Sequence, residues 1–152
     1  MPRCHTKEFG ELEFDEAAVV HFAAGLPAFD QEKRFLLIER SETAPVVFLQ
    51  SLTTPHLLFL ALPVRFVDPT FRLKLADDER AALGLPDDAA LSEGEDLVSL
   101  ALLTIRPGSA VTANLLAPVV IAARSRRALQ VVQPDSGYRV DHQLGEAAAS
   151  CS

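Results

Sequence analysis

Leu97-Val98-Ser99-Leu100-Ala101-Leu102-Leu103-Thr104-Ile105, closed by Arg106-Pro107-Gly108, is the stretch on which the fold turns. It is far shorter than the ~20 apolar residues a membrane helix needs, and it reads as a strand apolar on both faces. Similar runs flank it: Phe35 to Ile38, Val46 to Leu49, Leu57 to Leu62 and Pro118 to Ala123. Others alternate, with one apolar face each: Glu11 to Phe14, Phe71 to Leu75 and Leu129 to Val131. Turn residues punctuate the runs at Gly10, Gly25-Leu26-Pro27, Thr53-Thr54-Pro55 and Val67-Asp68-Pro69. Pro63, Pro107 and Pro134 stand where strands must end, because proline cannot donate to a ladder. The pattern predicts a mainly β, small, antiparallel sheet curled into a barrel or sandwich, a single domain over 1–144 followed by a flexible tail, 145–152.

One short helix is expected, Asp77 to Leu83. Asp77 is placed to cap it, Asp78 and Glu79 favour the positive end of its dipole, and Gly84 stops it ahead of Pro86. One such helix cannot cover every apolar strand face. Either the sheets fold over each other, or an apolar patch is left for a partner. Both readings stand on periodicity alone.

The 152 residues are 49% hydrophobic and carry a net charge of −7, from 21 acids and 14 bases. The imbalance is local: eight acids and one base, Arg80, lie between Ala76 and Asp96, and the remainder is neutral. The basic cluster Arg124-Ser125-Arg126-Arg127 is a weak footprint for phosphate binding, so direct nucleic-acid binding is disfavoured. Membrane association is also not expected, since the first residues lack a signal-peptide core. Cys4 and Cys151, at opposite ends, form neither a metal spacing nor a disulfide framework, and a reduced cytoplasmic protein is the simplest reading.

Catalytic signatures are missing. There is no nucleophile elbow, phosphate loop or dinucleotide fingerprint. His5, His21, His56 and His142 are scattered without ligand spacing, and His21 reads as a strand residue. After Asp87-Asp88, Ala89 and Leu91 occupy positions where a calcium loop needs oxygen ligands. The expectation is a non-enzymatic protein without metal or cofactor.

Several segments together resemble the flagellar assembly factor FliW family. Thr6 to Asp15 is similar to its opening hairpin, and Phe22-Ala23-Ala24-Gly25-Leu26-Pro27-Ala28-Phe29 to its turn segment. Leu49-Gln50-Ser51 resembles the signature after its third apolar strand. Thr112-Ala113-Asn114-Leu115-Leu116-Ala117-Pro118-Val119-Val120 is the most specific match, and Gln130-Val131-Val132 and Tyr138-Arg139 also fit. Ala23 stands where the family usually has proline, and Ala28 where glycine is common. The resemblance implies a small antiparallel barrel that acts in the cytoplasm by binding flagellin and the dimeric RNA-binding repressor CsrA. Flagellin occupancy would then free CsrA to repress, a linkage that needs only that one partner weakens the other.

Within that resemblance, Leu26, Phe29, Gln50, Ser51 and Asn114 are the candidate partner contacts. Each also has a structural reading: Leu26 and Phe29 plugging the barrel end, Gln50 and Ser51 capping a ladder, Asn114 closing a turn. Asp87, Asp88, Glu93, Glu95 and Asp96 form a candidate electrostatic surface that would repel RNA from a basic partner and speed encounter. A small-ligand-binding barrel needs a closed polar pocket, and a direct RNA-binding barrel needs aromatics beside a basic groove.

Overall fold

The computed structural model describes residues 2–23, 26, 29, 31–86 and 90–144. The expected tail 145–152, together with Gly25, Pro27 and Ala28 of the turn segment, lies outside the described residues. Strands β1 (Arg3–Thr6) and β2 (Gly10–Glu13) form an antiparallel hairpin that turns at Gly10. Its φ of +66° is a conformation glycine adopts without strain. A 3₁₀ turn over Glu16–Ala18 leads into β3 (Val19–Phe22), followed by β4 (Arg34–Glu39), β5 (Val47–Ser51) and β6 (Leu58–Pro63). Two helices, α1 (Val64–Val67) and α2 (Asp77–Leu83), precede β7 (Leu97–Thr104). The chain ends in β8 (Thr112–Ala113), β9 (Val119–Ala122), β10 (Arg127–Gln130) and β11 (His142–Gln143).

The large sheet closes on itself through β7, which pairs with β6 on one edge and with β9 on the other. The ring β7-β6-β5-β4-β3-β10-β9 is a seven-stranded barrel. An odd number of strands cannot alternate in direction all the way round, so one pair must be parallel. That pair is β3 with β10, registered Arg127↔His21 and Ala128↔Phe22. The barrel is otherwise antiparallel, as expected.

Its interior is filled. Phe22, Phe35, Leu49, Leu100 and Ile121 are each no more than 2% exposed, which leaves no lumen. The continuously apolar runs are explained by cover on the outside as well. The β1–β2 hairpin lays Leu12 and Phe14 over Val19 and Leu36. Helix α2 and the segment 71–75 cover Leu97, Val120 and Ala122 through Leu83, Leu73 and Leu75. Helix α1 and Tyr138 cover Ala101 and Ala113. Burying Leu83 alone, 1% exposed, contributes roughly 2 kcal/mol of transfer free energy.

Three local expectations are corrected. The residue capping α2 is Ala76, with Asp77 the first helical residue. Ala76 has no side-chain acceptor for the first-turn amides, and Glu79 reaches back to accept from the Ala76 amide at 2.8 Å, the other half of a capping box. A second, four-residue helix, α1, starts where Pro63 ends β6. Finally, Phe71 to Leu75 alternates in burial as a strand should, yet joins no ladder.

Side chains replace that ladder. The Arg72 amide donates to the Tyr138 hydroxyl at 3.0 Å, and the Lys74 amide to Gln133 Oε1 at 2.8 Å. Gln133 Nε2 donates back to the Lys74 carbonyl at 3.0 Å, so one buried amide serves as a surrogate strand residue. Replacing Gln133 with Leu strands two backbone groups and is expected to lower stability by about 2 kcal/mol. Urea denaturation followed by circular dichroism measures this, and amide exchange at Lys74 should accelerate more than at Leu49.

Candidate protein-docking site

The five partner-contact candidates converge on one end of the barrel, in two tiers. Phe29 and Asn114 reach the surface. Leu26, Gln50 and Ser51 lie beneath it, 0–3% exposed.

Leu26 plugs the barrel among Phe22 and Phe35. It forms a tight reversal with Phe29: the Phe29 amide donates to Leu26 O at 2.7 Å, and the Leu26 amide returns to Phe29 O at 3.3 Å. The Phe29 ring stands edge-on to Phe59 at 5.5 Å. Phe59 contacts Phe35 at 6.0 Å and Phe35 contacts Phe22 at 5.3 Å, so a file of aromatic rings runs from the core to the surface. At its outer end Phe29 is 40% exposed.

Gln50 and Ser51 hold the platform under this ring. Gln50 Nε2 donates to the carbonyls of Ser51, Pro55 and Leu57 at 3.0–3.2 Å, fixing the turn between β5 and β6. The Ser51 hydroxyl donates to Glu32 Oε1 and accepts from the amides of Thr53 and Thr54 at 3.0 and 2.9 Å. Glu32 also accepts from the Thr54 hydroxyl at 2.8 Å, and its own amide donates to Phe29 O at 2.9 Å. The buried carboxylate therefore pins the Phe29 segment to the β5–β6 turn.

Asn114 follows β8 on the other side of Phe59. Its Oδ1 accepts from the Ala117 amide at 2.9 Å, which closes a turn, and its own amide donates to Leu102 O at 2.9 Å. Asn114, Phe59, Leu102, Thr104, Arg106 and Val140 line a groove of about 500 Å3. Asp141 at its rim is hydrogen-bonded by Arg139 at 2.9 Å, and this bond holds the carboxyl below the usual carboxylate range.

The described acidic candidates, Glu93, Glu95 and Asp96, lie at the opposite end, where β7 begins. Glu93 accepts from the Ser99 amide and hydroxyl, each at 2.7 Å, and Asp96 accepts from the Ser92 amide at 2.7 Å. Both brace their own loop, and Glu93, Glu95 and Asp96 are all exposed. Asp87 and Asp88 lie outside the described residues. The eight residues of β7 separate the acidic loop from the Phe29 end, roughly 23 Å at the rise of a strand.

The basic cluster is spread over separate contacts. Arg126, at φ +59°, donates to Ala18 O at 2.9 Å, and Arg124 shares a depression with Glu95 and Asp96. Among the described residues no group of three or more His, Cys, Asp or Glu side chains is placed to hold a metal ion. Among the described residues, no helix is long and apolar enough to cross a membrane.

This geometry coincides with a known family. The model of the FliW protein family matches residues 3–144. The chain belongs to the FliW family. The flagellar assembly factor FliW of Syntrophomonas wolfei is 37% identical over 137 residues, spanning 89% of this chain and 83% of the relative. That of Bacillus subtilis is 34% identical over 142 residues, or 93% and 95% of the two chains. A crystal structure of the flagellar assembly factor FliW aligns with a TM-score of 0.82 at 31% identity, covering 95% of this chain and 97% of that one.

In this FliW-family chain, Phe59 and Glu32 pack into the candidate site but carry no local signal. Phe59 sits in an apolar run that reads as core. Glu32 lies in the charged stretch Gln31-Glu32-Lys33-Arg34, which reads as surface. Among the described residues, the hydroxyls of Ser51 and Thr54, distant in sequence, make its burial tolerable. Replacing Ser51 with Ala leaves Glu32 and two amides short of partners, and an expected loss of 2–3 kcal/mol (about the cost of stranding a buried charged group) is measurable by urea denaturation.

Proposed function

We propose that this chain is a cytoplasmic flagellar assembly factor that works by binding proteins. Flagellin is one partner and the translational repressor CsrA the other, so that flagellin level is coupled to flagellin synthesis. The observation that carries this reading is the Phe29–Phe59 pair. A rigid, half-exposed aromatic is backed by the core and held by a buried hydrogen-bond network, at the barrel end formed by the segments that most resemble FliW. Such anchored aromatics concentrate binding energy in protein interfaces. The filled barrel interior favours a surface that docks a macromolecule over a pocket that encloses a small ligand.

The acidic end adds a second surface. A basic RNA-binding protein docked near Glu93, Glu95 and Asp96 would meet a like-signed competitor for RNA and an attractive field for itself. Because the two surfaces sit at opposite ends of β7, competition between the partners would act through coupling across the barrel, unless one partner spans both.

Co-purification with flagellin and with CsrA, followed by titration of one against the other, is the deciding experiment. Retention of neither protein sinks the proposal. Replacing Phe29 with Ala is expected to weaken at least one complex by about tenfold or more, with the melting temperature nearly unchanged because the ring is half-exposed. Neutralising Asp87, Asp88, Glu93, Glu95 and Asp96 together should slow CsrA association and flatten its salt dependence. An association rate unaltered at low salt rules out the electrostatic part.

A further inference from the structure

The two mouths of the barrel are finished differently. At the Phe29 end Leu26, 3% exposed, fills the mouth. The other mouth is framed by the end of β4 at Glu39, the start of β5 at Val47, the end of β6 at Pro63 and the start of β7 at Leu97. Here a cleft of about 270 Å3 opens between the strands, α1 and the loop that carries Glu93. Val47 and Val98, which pack in the barrel core, form its floor, and Pro45 and Pro63 add apolar walls.

Carboxylates and one aromatic ring stand at the rim. Glu39 is registered opposite Val47, so the two side chains share a face of the sheet, and Glu39 is exposed. Among the described residues it makes no hydrogen bond or ion pair. Glu93, also exposed, is held by the Ser99 amide and hydroxyl, each at 2.7 Å, and a carboxylate so held still has lone pairs to offer. Phe66 comes from α1. Val64, 4% exposed, is the buried residue of that helix. Two residues on, at about 200° around the axis, a side chain must turn outward. Phe66 is accordingly 56% exposed, more than Phe29 at 40%. The Arg65 guanidinium lies 5.5 Å from the centroid of its ring.

We infer that this cleft anchors a basic segment of a partner protein through one inserted apolar side chain. The apolar residues lie below and the carboxylates above. An apolar residue inserted there leaves its backbone at the rim, where a neighbouring lysine or arginine reaches Glu39 and Glu93. A basic side chain entering head first would bury its charge against Val47 and Val98, which is costly. Phe66 supplies the aromatic contact around which such anchors concentrate binding energy. Glu95 and Asp96, exposed in the same loop as Glu93, extend the negative field and make the cleft continuous with the acidic surface. The inference rests on the reading of that surface as a protein-docking face, and it adds an apolar requirement to a contact otherwise specified by charge.

The test is an NMR titration of the ¹⁵N-labelled full chain with the capped peptide serine-lysine-leucine-lysine-serine. Amide shifts should cluster at Glu39, Phe66, Gly94 and Val98, and binding should weaken with added salt. Exchanging the peptide's leucine for serine, or its lysines for glutamates, should each weaken binding about tenfold or more. On the chain, Phe66→Ala should cost about tenfold, and Glu39→Lys should abolish the preference for the lysine peptide over the glutamate one. Both positions are exposed, so the melting temperature should change little. If either variant fails to fold, the peptide series on the unsubstituted chain decides alone. Shifts clustered elsewhere, equal affinity for the serine or glutamate peptide, no shift at millimolar peptide, or a dimer of the chain that Phe66→Ala dissociates would each overturn the inference. Titration with CsrA on the same samples separates the two readings. Peptide binding at the cleft without retention of CsrA upholds the cleft and sinks the functional reading, whereas a CsrA affinity unchanged by Phe66→Ala sinks the cleft alone.

Discussion

Closure through β7 is the constraint on which the rest of the structure depends. This strand accepts ladders on both edges, β6 on one and the β9–β8 pair on the other, and so turns an open sheet into a ring. Its side chains must then be apolar toward the filled interior and apolar toward the helices and straps outside. That double demand accounts for the near-continuous run from Leu97 to Leu103. Closure also explains why one ladder is parallel, because seven strands cannot alternate around a ring.

Toward its C-terminal end β7 takes β8 as a neighbour opposite β6, and the candidate site is built around that end. The Phe29 segment closes the barrel from above and is secured through Glu32 to the β5–β6 turn. The Asn114 turn arrives from the other side, tied to Leu102. Three chain segments far apart in sequence thus share one aromatic file and one groove. Gln50, Ser51 and Leu26 act at this end by positioning; their side chains are buried and touch the protein itself. The accessible side chains at this end are those of Phe29, Phe59 and Arg106.

The strands were readable because alternation and turn residues report directly on a pleated backbone, as at Gly10 and Pro63. Helix α2 was readable from its acidic first turn and from Gly84. Legibility failed where a tertiary partner substituted for a local rule. Phe71 to Leu75 has strand periodicity, but its hydrogen bonds go to Tyr138 and Gln133, which no local pattern couples to it. Ala76 starts the helix without a capping side chain, and only its own amide is served, by Glu79 folding back. Glu32 reads as a surface acid until two hydroxyls from across the turn enclose it.

Taken alone, the order of residues determined the mainly β character, the short helix, the concentration of negative charge between Ala76 and Asp96, and the segments that resemble FliW. These are properties of neighbours along the chain, and neighbours suffice to set strand periodicity, turn geometry and local charge. Only the tertiary structure decided that the acidic loop and Phe29 lie at opposite ends of β7. It alone placed Gln50 and Ser51 beneath the surface and closed the barrel by pairing β7 with both β6 and β9. Those outcomes depend on which strand edge meets which, and hydrogen-bond pairing between distant strands is settled when the barrel closes.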